Sequence, residues 1–404
     1  MNMRQYANMQ VERISTISRL IEIEEKWKEL LQQSKANEIF LTPEWIISWW
    51  KIFGANRELY VITLWVDNDL MGLVPLYKSR RGIFDQLTFL GLPDQSDRVD
   101  FIYKEGYGEE CMRACMDYLS DNVKWDVLNF KRLVSYTDSV HILDTILKQR
   151  MWKYLCGKDG AYPYLELHDY AGYDDYMTKN FKSKHRGNLR REGDKIHNVL
   201  KAVWTVRKEV DDKIISEMTD IDVNRSVRGQ QGNSFLQRND NRSFVSELMQ
   251  RMKIANYIRL FTYEVQERIA AYSLAFNYGG KILNYQMSYD DQYSREGLGV
   301  HVILQSIRYA IENNKSEYDL LLGEEDYKKR WSSNIRSSKY YFIFRNTYKS
   351  FLLYQYMKLY QYMKHIKQLN DFPDVNQLTR TRIESQMIKE TGIVLPTNKG
   401  SMES

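Results

Sequence analysis

The sequence predicts an α+β fold with two halves, each a mixed, mostly antiparallel sheet flanked by helices, and a C-terminal helix. Two observations predict this class. In both halves, short strand-like apolar runs alternate with tight turns, and an amphipathic helix and a further strand follow them. In the last part of the chain, after residue 347, the apolar residues instead recur at the spacing of a helix. The domains expected are therefore 1–158, 159–347 and 348–404.

The first half is expected to open with a strand and to continue with helices and a hairpin. Pro43 suits the first turn of a helix, and Asp67-Asn68-Asp69 favours a tight turn between two strands. The predicted strands are 11–17, 59–66, 70–77, 86–90 and 125–130, and the predicted helices are 18–33, 43–50, 109–119 and 137–150.

The second half repeats this order after a strand at 164–168. Tyr278-Gly279-Gly280 predicts the turn of its main hairpin. Further strands are predicted at 200–206, 257–263, 269–276, 282–289, 318–322 and 338–345, with helices between 211 and 255. The last helix is predicted over 348–369, and the polar chain from 371 onward is expected to be poorly ordered.

The composition is that of an ordinary folded protein. Apolar residues make up 43% and charged residues 27% of the 404 residues, and six prolines argue against a linker-rich chain. Cys111, Cys115 and Cys156 lack metal-ligand spacing, so we expect reduced thiols and no metal. Because no apolar run reaches membrane-spanning length and residues 1–13 lack a signal-peptide core, the expected location is the cytoplasm.

A glycine turn before a helix is the most informative local signal. The turn is Ser294-Arg295-Glu296-Gly297-Leu298-Gly299. The apolar stripe behind it contains Val300, Ile303, Leu304, Ile307 and Ile311. Such a helix start leaves backbone N–H groups unpaired at the positive end of the helix dipole, and glycine lets a ligand approach closely. The segment therefore predicts a phosphate-binding site, with a plain helix start as the alternative.

Positive charge is concentrated in the segment 179–195. Its basic residues are Lys179, Lys182, Lys184, Arg186, Arg190, Arg191 and Lys195, and its acids are Glu192 and Asp194. This segment alone carries the net charge of +5 that the whole chain has. It is either a solvated helix face or an anion-binding surface for nucleotide phosphates, a phospholipid-linked sugar or RNA. Gly187 and Gly193 predict a hinge within it.

The predicted C-terminal helix contains a near-repeat of tyrosine, methionine and lysine at 354–358 and 360–364. One interpretation packs this helix across the core. The alternative is an interfacial helix, with aromatic side chains at the lipid headgroups and lysines facing anionic lipid. That alternative gives the protein peripheral membrane contact through 348–369, at the inner membrane face.

In the second half, the strand meander, the helix that begins at the glycine turn and the strand after it resemble the acyl-CoA site of the GNAT acetyltransferases. The longer pattern resembles the CelD-like (cellulose and exopolysaccharide biosynthesis) branch, which looks like tandem GNAT domains related to the Fem peptidyltransferases. The first-half segments that carry the resemblance are Thr42-Pro43-Glu44-Trp45, Trp49-Trp50, Gly72–Tyr77, Phe89-Leu90-Gly91 and 97–101. The second-half segments are Tyr293–Gly299, Tyr318-Asp319, Gly323, Tyr327-Lys328 and Trp331. Together they span about 10–345.

The resemblance implies two tandem GNAT-like domains that use acetyl-CoA or another acyl-CoA as donor, without a metal. The residues expected at the donor are Tyr289, Ser294, Arg295, Gly297, Leu298, Gly299 and Val300, the last four through backbone N–H groups on the pyrophosphate. The common GNAT turn has glutamine or arginine three residues before its first glycine, whereas this chain has Ser294, with Arg295 one residue nearer. The first half offers only Gly106-Tyr107-Gly108, so one donor site is expected, in the second half.

Candidate catalytic residues follow the strand that would line the donor. Tyr327 is the expected acid for the leaving thiolate, because a phenol pKa of about 10 suits that proton transfer. Lys328 is expected to polarise the carbonyl or to hold an acceptor phosphate or carboxylate. The candidate bases are Asp319, Glu324 and Asp290. The alternative for 327–331 is an aromatic-anchored helix start with solvated charges.

The first half is expected to hold the acceptor. Trp45, Trp49, Asp97 and Asp100, with Trp331 of the second half, are the candidate contacts to a sugar. Placement of both first-half tryptophans in the core is the alternative.

The leading functional hypothesis is an acyl-CoA-dependent N-acyltransferase that transfers an acetyl group to an amino sugar or other small amine in surface polysaccharide biosynthesis. Its acceptor is expected to be free or linked to a nucleotide or lipid, and DNA is not expected as a partner. The alternatives are a Fem-like aminoacyl-tRNA-dependent transferase and a non-catalytic scaffold with the GNAT fold. The basic segment favours tRNA, but the absence of a predicted coiled-coil arm disfavours it.

Overall fold

The computed structural model describes residues 9–93, 95–227, 235–332 and 334–370. The chain forms two compact units, of which the first ends at Thr347 and the second begins at Tyr348. The strands are β1 (Met9–Ile14), β2 (Glu58–Val66), β3 (Asp69–Arg81), β4 (Phe84–Phe89), β5 (Ile102–Tyr103), β6 (Val127–Val134), β7 (Lys153–Glu166), β8 (Val203–Arg207), β9 (Ile258–Val265), β10 (Arg268–Tyr278), β11 (Lys281–Tyr289), β12 (Glu317–Asp319) and β13 (Asn334–Phe344).

The described part of the chain also contains helices in both units. They are α1 (Ile17–Glu22), α2 (Glu24–Gln32), α3 (Pro43–Phe53), α4 (Gly108–Asn122), α5 (Ser139–Arg150), α6 (Tyr173–Asn180), α7 (Ser183–Asn198), α8 (Asp212–Val227), α9 (Asn239–Ile254), α10 (Leu298–Glu312), α11 (Asp326–Lys329) and α12 (Tyr348–Asn370).

The strands form one mixed sheet in the order β1-β2-β3-β4-β6-β13-β7-β12-β11-β10-β9-β8, with β5 beside β3. Adjacent strands are antiparallel except at β4–β6 and β11–β12. The helix α4 lies between β4 and β6 in the chain, and α10 lies between β11 and β12. The predicted α+β class and its repeated order are therefore confirmed, because each half contains an antiparallel meander followed by one parallel crossover.

Strand β13 joins the two halves of the sheet. It pairs with β6 on one side and with β7 on the other, where Asn334 faces Tyr164 and Phe344 faces Lys153. The boundary expected at residue 158 therefore falls inside β7. The sequence pattern revealed only the end of this strand, because Gly157 and Gly160 and the charged residues between them interrupt its apolar run. The assignment of separate roles to the two halves stays a prediction.

The basic segment forms a continuous helix, α7, and the predicted hinge is wrong. Helix packing explains one of its two glycines. A Cβ added to Gly193 would stand 3.3 Å from the His301 ring, so glycine lets α7 pass close to α10. Gly187 is exposed and has open space around its Cβ position, so a side chain there meets no obstacle.

The C-terminal helix is present as α12 and forms the described part of the second unit. No helix among the described residues is both long and apolar enough to cross a bilayer. The prediction for the chain from 371 onward lies outside the described residues.

Candidate active site

A cavity of about 420 Å³ opens where two parallel strands separate. β11 and β12 pair only from Lys281 to Leu283 and from Glu317 to Asp319, after which β11 continues to Tyr289 with β10 as its partner strand. Residues of β11 form one wall and Leu320–Leu322 form the other, while the N-terminus of α10 lies at one end. The gap between parallel strands thus leads directly to a helix N-terminus, where an anionic ligand is favoured.

The glycine turn has the backbone geometry of an anion-binding loop. Gly297 has φ +76°, the left-handed region that favours glycine. Its carbonyl accepts N–H groups from Val300 and His301, both at 3.0 Å. Within the described residues, the N–H groups of Gly297, Leu298 and Gly299 have no hydrogen-bond partner. Of the four N–H groups that we predicted to bind phosphate, only that of Val300 is therefore already bonded.

Gly299 is required by packing as well as by access. A Cβ at this position would stand 2.5 Å from the ring of Tyr289, which is closer than non-bonded carbon atoms approach each other. Tyr289 in turn carries Arg225 of α8 over its ring, with the guanidinium carbon 4.2 Å from the ring centre. Both side chains line the cavity. Arg225 is a functional candidate that the sequence pattern did not reveal, because nothing local distinguishes it from other polar residues of α8.

The opposite wall carries the residues expected to act on the thioester. Tyr327, Lys328 and Trp331 all line the cavity. The Lys328 ammonium donates to the Leu322 carbonyl and lies 3.3 Å from Glu325 Oε2. Burial and the neighbouring Glu325 raise the pKa of Tyr327, so this phenol keeps its proton at neutral pH. The Trp331 indole N–H is buried and has no partner among the described residues.

Asp97 reaches the same cavity from the first half of the chain. Its Oδ2 accepts the Leu322 N–H at 3.1 Å. Burial raises the pKa of this carboxyl, although the Leu322 N–H and the positive charges of Arg132, Lys328 and Arg98 oppose that rise. A carboxyl with a raised pKa, on the wall of a cavity, is a candidate proton acceptor.

Residues 183–329 match the model of the acetyltransferase (GNAT) domain family. This stretch of the chain is therefore similar to a GNAT acetyltransferase domain. The matched stretch includes the glycine turn, α10 and most of the cavity wall, and stops before Trp331. The assignment to the CelD-like branch stays a prediction. No curated protein sequence matches the chain.

Solved structures resemble most of the chain. FemX is 10% identical with a TM-score of 0.59, over 86% of this chain and 99% of its own. A conserved protein of unknown function from Bacteroides thetaiotaomicron is 13% identical with a TM-score of 0.52, over 83% of this chain and 100% of its own. At these identities the likeness concerns the fold alone.

Most of the predicted donor residues line the cavity. They are Tyr289, Ser294, Gly297, Gly299 and Val300. Leu298 is buried behind the turn, and Arg295 is exposed beside it, so neither side chain lines the cavity. In the first half, a Cβ on Gly108 would stand 2.6 Å from the Tyr103 ring, so the start of α4 is filled by a side chain.

Three predicted sugar contacts are core residues instead. Trp45 and Trp49 are fully buried and donate to Ser96 Oγ at 2.8 Å and to Gln95 Oε1 at 2.9 Å. Asp100 is also fully buried and accepts the Thr137 hydroxyl at 2.6 Å. None of these three lines the cavity, so the prediction that they contact a sugar is corrected.

The three candidate bases named from the sequence also lie outside the cavity wall. Asp319 is fully buried and pairs with Arg98 Nη1 at 2.5 Å. Glu324 is exposed and pairs with Lys158 at 3.1 Å. Asp290 accepts the Gln292 N–H at 3.0 Å and caps a short helical turn. Their existing partners argue against proton transfer, and Asp97 takes their place as the candidate.

One cluster outside the cavity has metal-ligand chemistry. Ligand atoms of Glu166, His168 and Asp169 lie within 4.8 Å of one another. All three side chains are exposed or half-exposed, and His168 Nε2 already lies 3.4 Å from Asp169 Oδ1. The expected absence of a metal stays a prediction.

Proposed function

We propose that this protein is an acyl-CoA-dependent N-acyltransferase that acylates an amino sugar or another small amine. The observation that carries the proposal is the cavity that runs from the free N–H groups of Gly297 and Gly299 to Asp97, Tyr327 and Lys328. It offers an anion site at one end and proton-transfer groups along its walls, which is what amine attack on a thioester needs.

The donor pyrophosphate binds at the start of α10. The Gly297 and Gly299 N–H groups donate to its oxygens, and the helix dipole favours its negative charge. Arg225 adds a positive charge to the same cavity. The pantetheine arm then extends between β11 and Leu320–Leu322, so that the thioester reaches Tyr327 and Asp97.

The chemical step is a direct transfer. The amine nitrogen attacks the thioester carbonyl carbon, and its proton passes to the Asp97 carboxylate. A backbone N–H near the end of β11 stabilises the tetrahedral oxyanion, an interaction that contributes about 3 kcal/mol in comparable sites. The carbon–sulfur bond breaks, and the thiolate takes the proton of Tyr327, while Lys328 polarises the carbonyl or holds an acidic group of the acceptor.

The acceptor that we propose is an amino sugar of surface polysaccharide biosynthesis, free or linked to a nucleotide or lipid, and the acyl group is acetyl. Trp331 supports a sugar or similar polar acceptor, because its buried indole N–H needs an oxygen to accept it. The location that we propose is the cytoplasm, at the inner membrane face.

Thermal denaturation with CoA, acetyl-CoA and longer acyl-CoAs tests the proposal. A ligand present at a hundred times its dissociation constant stabilises the fold by about 2.7 kcal/mol. Ser294 is exposed and lines the cavity, so Ser294→Asp places a negative charge beside the turn without disturbing the core. We expect Ser294→Asp to abolish the shift and Ser294→Ala to keep it. Absence of a shift in the wild type would favour a scaffold with the GNAT fold.

A second candidate function is transfer of an aminoacyl group from charged tRNA. The observation that favours it is the surface of α7, whose basic side chains at Lys184, Arg190, Arg191 and Lys195 are exposed, as is Lys182 at its N-cap. The helix also borders the glycine turn, since a Cβ on Gly297 would stand 3.4 Å from Glu192 Oε2. Binding of tRNA that weakens steeply with salt and is lost in Arg190→Glu/Arg191→Glu would support this function over the first.

A further inference from the structure

Large apolar side chains are exposed along one face of α12. They are Tyr348 (78% exposed), Leu352 (48%), Tyr356 (65%), Tyr360 (56%) and Met363 (38%). Spacings of four, four, four and three residues place them in one stripe along the helix. A stripe this long has a partner in most folded proteins, so its exposure calls for one.

The charge of this helix has a single sign. Between residues 348 and 370 the sequence contains Lys349, Lys358, Lys364 and Lys367 and no aspartate or glutamate. Whatever covers the stripe therefore has to tolerate or neutralise a net positive charge. A surface that carries negative charge beside an apolar layer meets both requirements.

We propose that α12 binds the surface of an anionic bilayer, with its stripe in the headgroup region and its axis in the membrane plane. Tyrosine suits that depth, because its ring enters the apolar layer while its hydroxyl stays hydrated. The helix is not apolar enough to cross the bilayer. This inference concerns a surface of the second unit and does not depend on the proposed reaction.

Two other occupants fit the observations less well. A second copy of α12 would bring the same four lysines and no acid to the interface, so the two helices would repel each other. A dry helix–helix interface would also bury the hydroxyls of Tyr348, Tyr356 and Tyr360, each of which would then need a partner.

Co-sedimentation of the full-length protein with vesicles tests the proposal. We expect binding to vesicles of phosphatidylglycerol and phosphatidylcholine in equal parts, and binding about tenfold weaker to phosphatidylcholine alone. Tyr356→Ser/Tyr360→Ser should weaken binding to the anionic vesicles by about tenfold, because it removes apolar area from the stripe. Lys358→Glu should weaken it by about tenfold at low salt and leave binding to neutral vesicles unchanged.

The matched control is Tyr107→Ser/Met151→Ser, which removes two exposed apolar side chains outside α12. It should bind vesicles as the wild type does. The proposal is overturned if the wild type does not bind anionic vesicles, or if the α12 double variant binds like the control. If the wild type does not bind vesicles and the α12 variant loses a dimer in sedimentation velocity, the stripe contacts a second copy of the chain. If the wild type does not bind vesicles and the variant has a lower melting temperature, the stripe packs against another part of the same chain.

Discussion

Asp97 and Leu322 are 225 positions apart in the sequence, yet the Asp97 carboxylate accepts the Leu322 N–H at 3.1 Å. This bond brings a carboxyl group from the first half into a cavity built mostly by the second. The neighbouring Arg98 pairs with Asp319, whose Oδ1 accepts the Leu321 N–H at 2.8 Å. Asp97 therefore holds Leu322 in the cavity wall directly, and Arg98 holds Leu321 through Asp319.

Asp97→Asn tests the proton acceptor. We expect kcat to fall by about a hundredfold or more, since the amide cannot take the proton of the amine. The amide oxygen can still accept the Leu322 N–H, so the melting temperature and the KM for acyl-CoA should change little. Steady-state kinetics with saturating acceptor measure this. A higher KM for the acceptor with an unchanged kcat would show that Asp97 binds the acceptor and does not react with it.

The pH profile gives an independent check on Asp97. A base acts only when it is deprotonated, and burial raises the pKa of this carboxyl above its ordinary value. We therefore expect kcat/KM of the wild type to rise with pH through that raised pKa and then to level off. This rise of kcat/KM with pH should disappear in Asp97→Asn.

Gly299→Ala tests the packing of the turn. The new methyl group meets the Tyr289 ring at 2.5 Å, so the turn or the ring has to move. We expect a loss of about 1–3 kcal/mol in unfolding free energy and weaker acyl-CoA binding, measured by denaturant titration and calorimetry. Gly299→Ala/Tyr289→Ala removes the clash, and the double variant should be more stable than the sum of the two single changes allows. Additive effects would contradict the contact.

Local chemistry explains which parts of this fold could be read from the sequence. Gly279 and Gly280 have φ values of +56° and +77°, as a tight hairpin turn requires, and glycine marks such positions directly. The amphipathic stripe of α10 is equally local. By contrast, most of β7 could not be predicted, because its sequence contains glycines and charges although it pairs with strands on both sides.

The site was less predictable, because its residues meet only in the folded chain. Trp45 and Trp49 show the same sequence pattern whether they bind a sugar or fill the core. Arg225 reaches the cavity through its contact with Tyr289, which lies on a distant strand. The same holds for Asp319, because its ion pair with Arg98 joins residues that are distant in the sequence.

Arg98→Met tests the link between the halves. Arg98 is fully buried and pairs with Asp319 at 2.5 Å and with Glu38 at 2.8 Å, so its removal leaves two buried carboxylates without their shared partner. We expect a loss of about 3–5 kcal/mol in unfolding free energy. The control is Lys158→Met, which breaks the exposed pair with Glu324 and should cost under about 1 kcal/mol. Equal losses in the two variants would contradict the buried network.

Asp100→Asn tests the pH dependence of stability. Burial raises the pKa of Asp100 to about 7, although hydroxyls of Ser139 and Thr137 and the Phe101 N–H oppose the rise. The native carboxyl therefore keeps a proton that the unfolded chain releases above its ordinary pKa of 3.8. Its contribution to stability is complete below that value and is lost as pH rises to about 7, with a slope of at most about 1.4 kcal/mol per pH unit. Asparagine keeps a carbonyl for the Phe101 N–H and has no such proton. Denaturant titrations across this range should thus show the variant gaining stability relative to wild type as pH rises, whereas a constant difference would mean that Asp100 is ionised in the folded protein throughout.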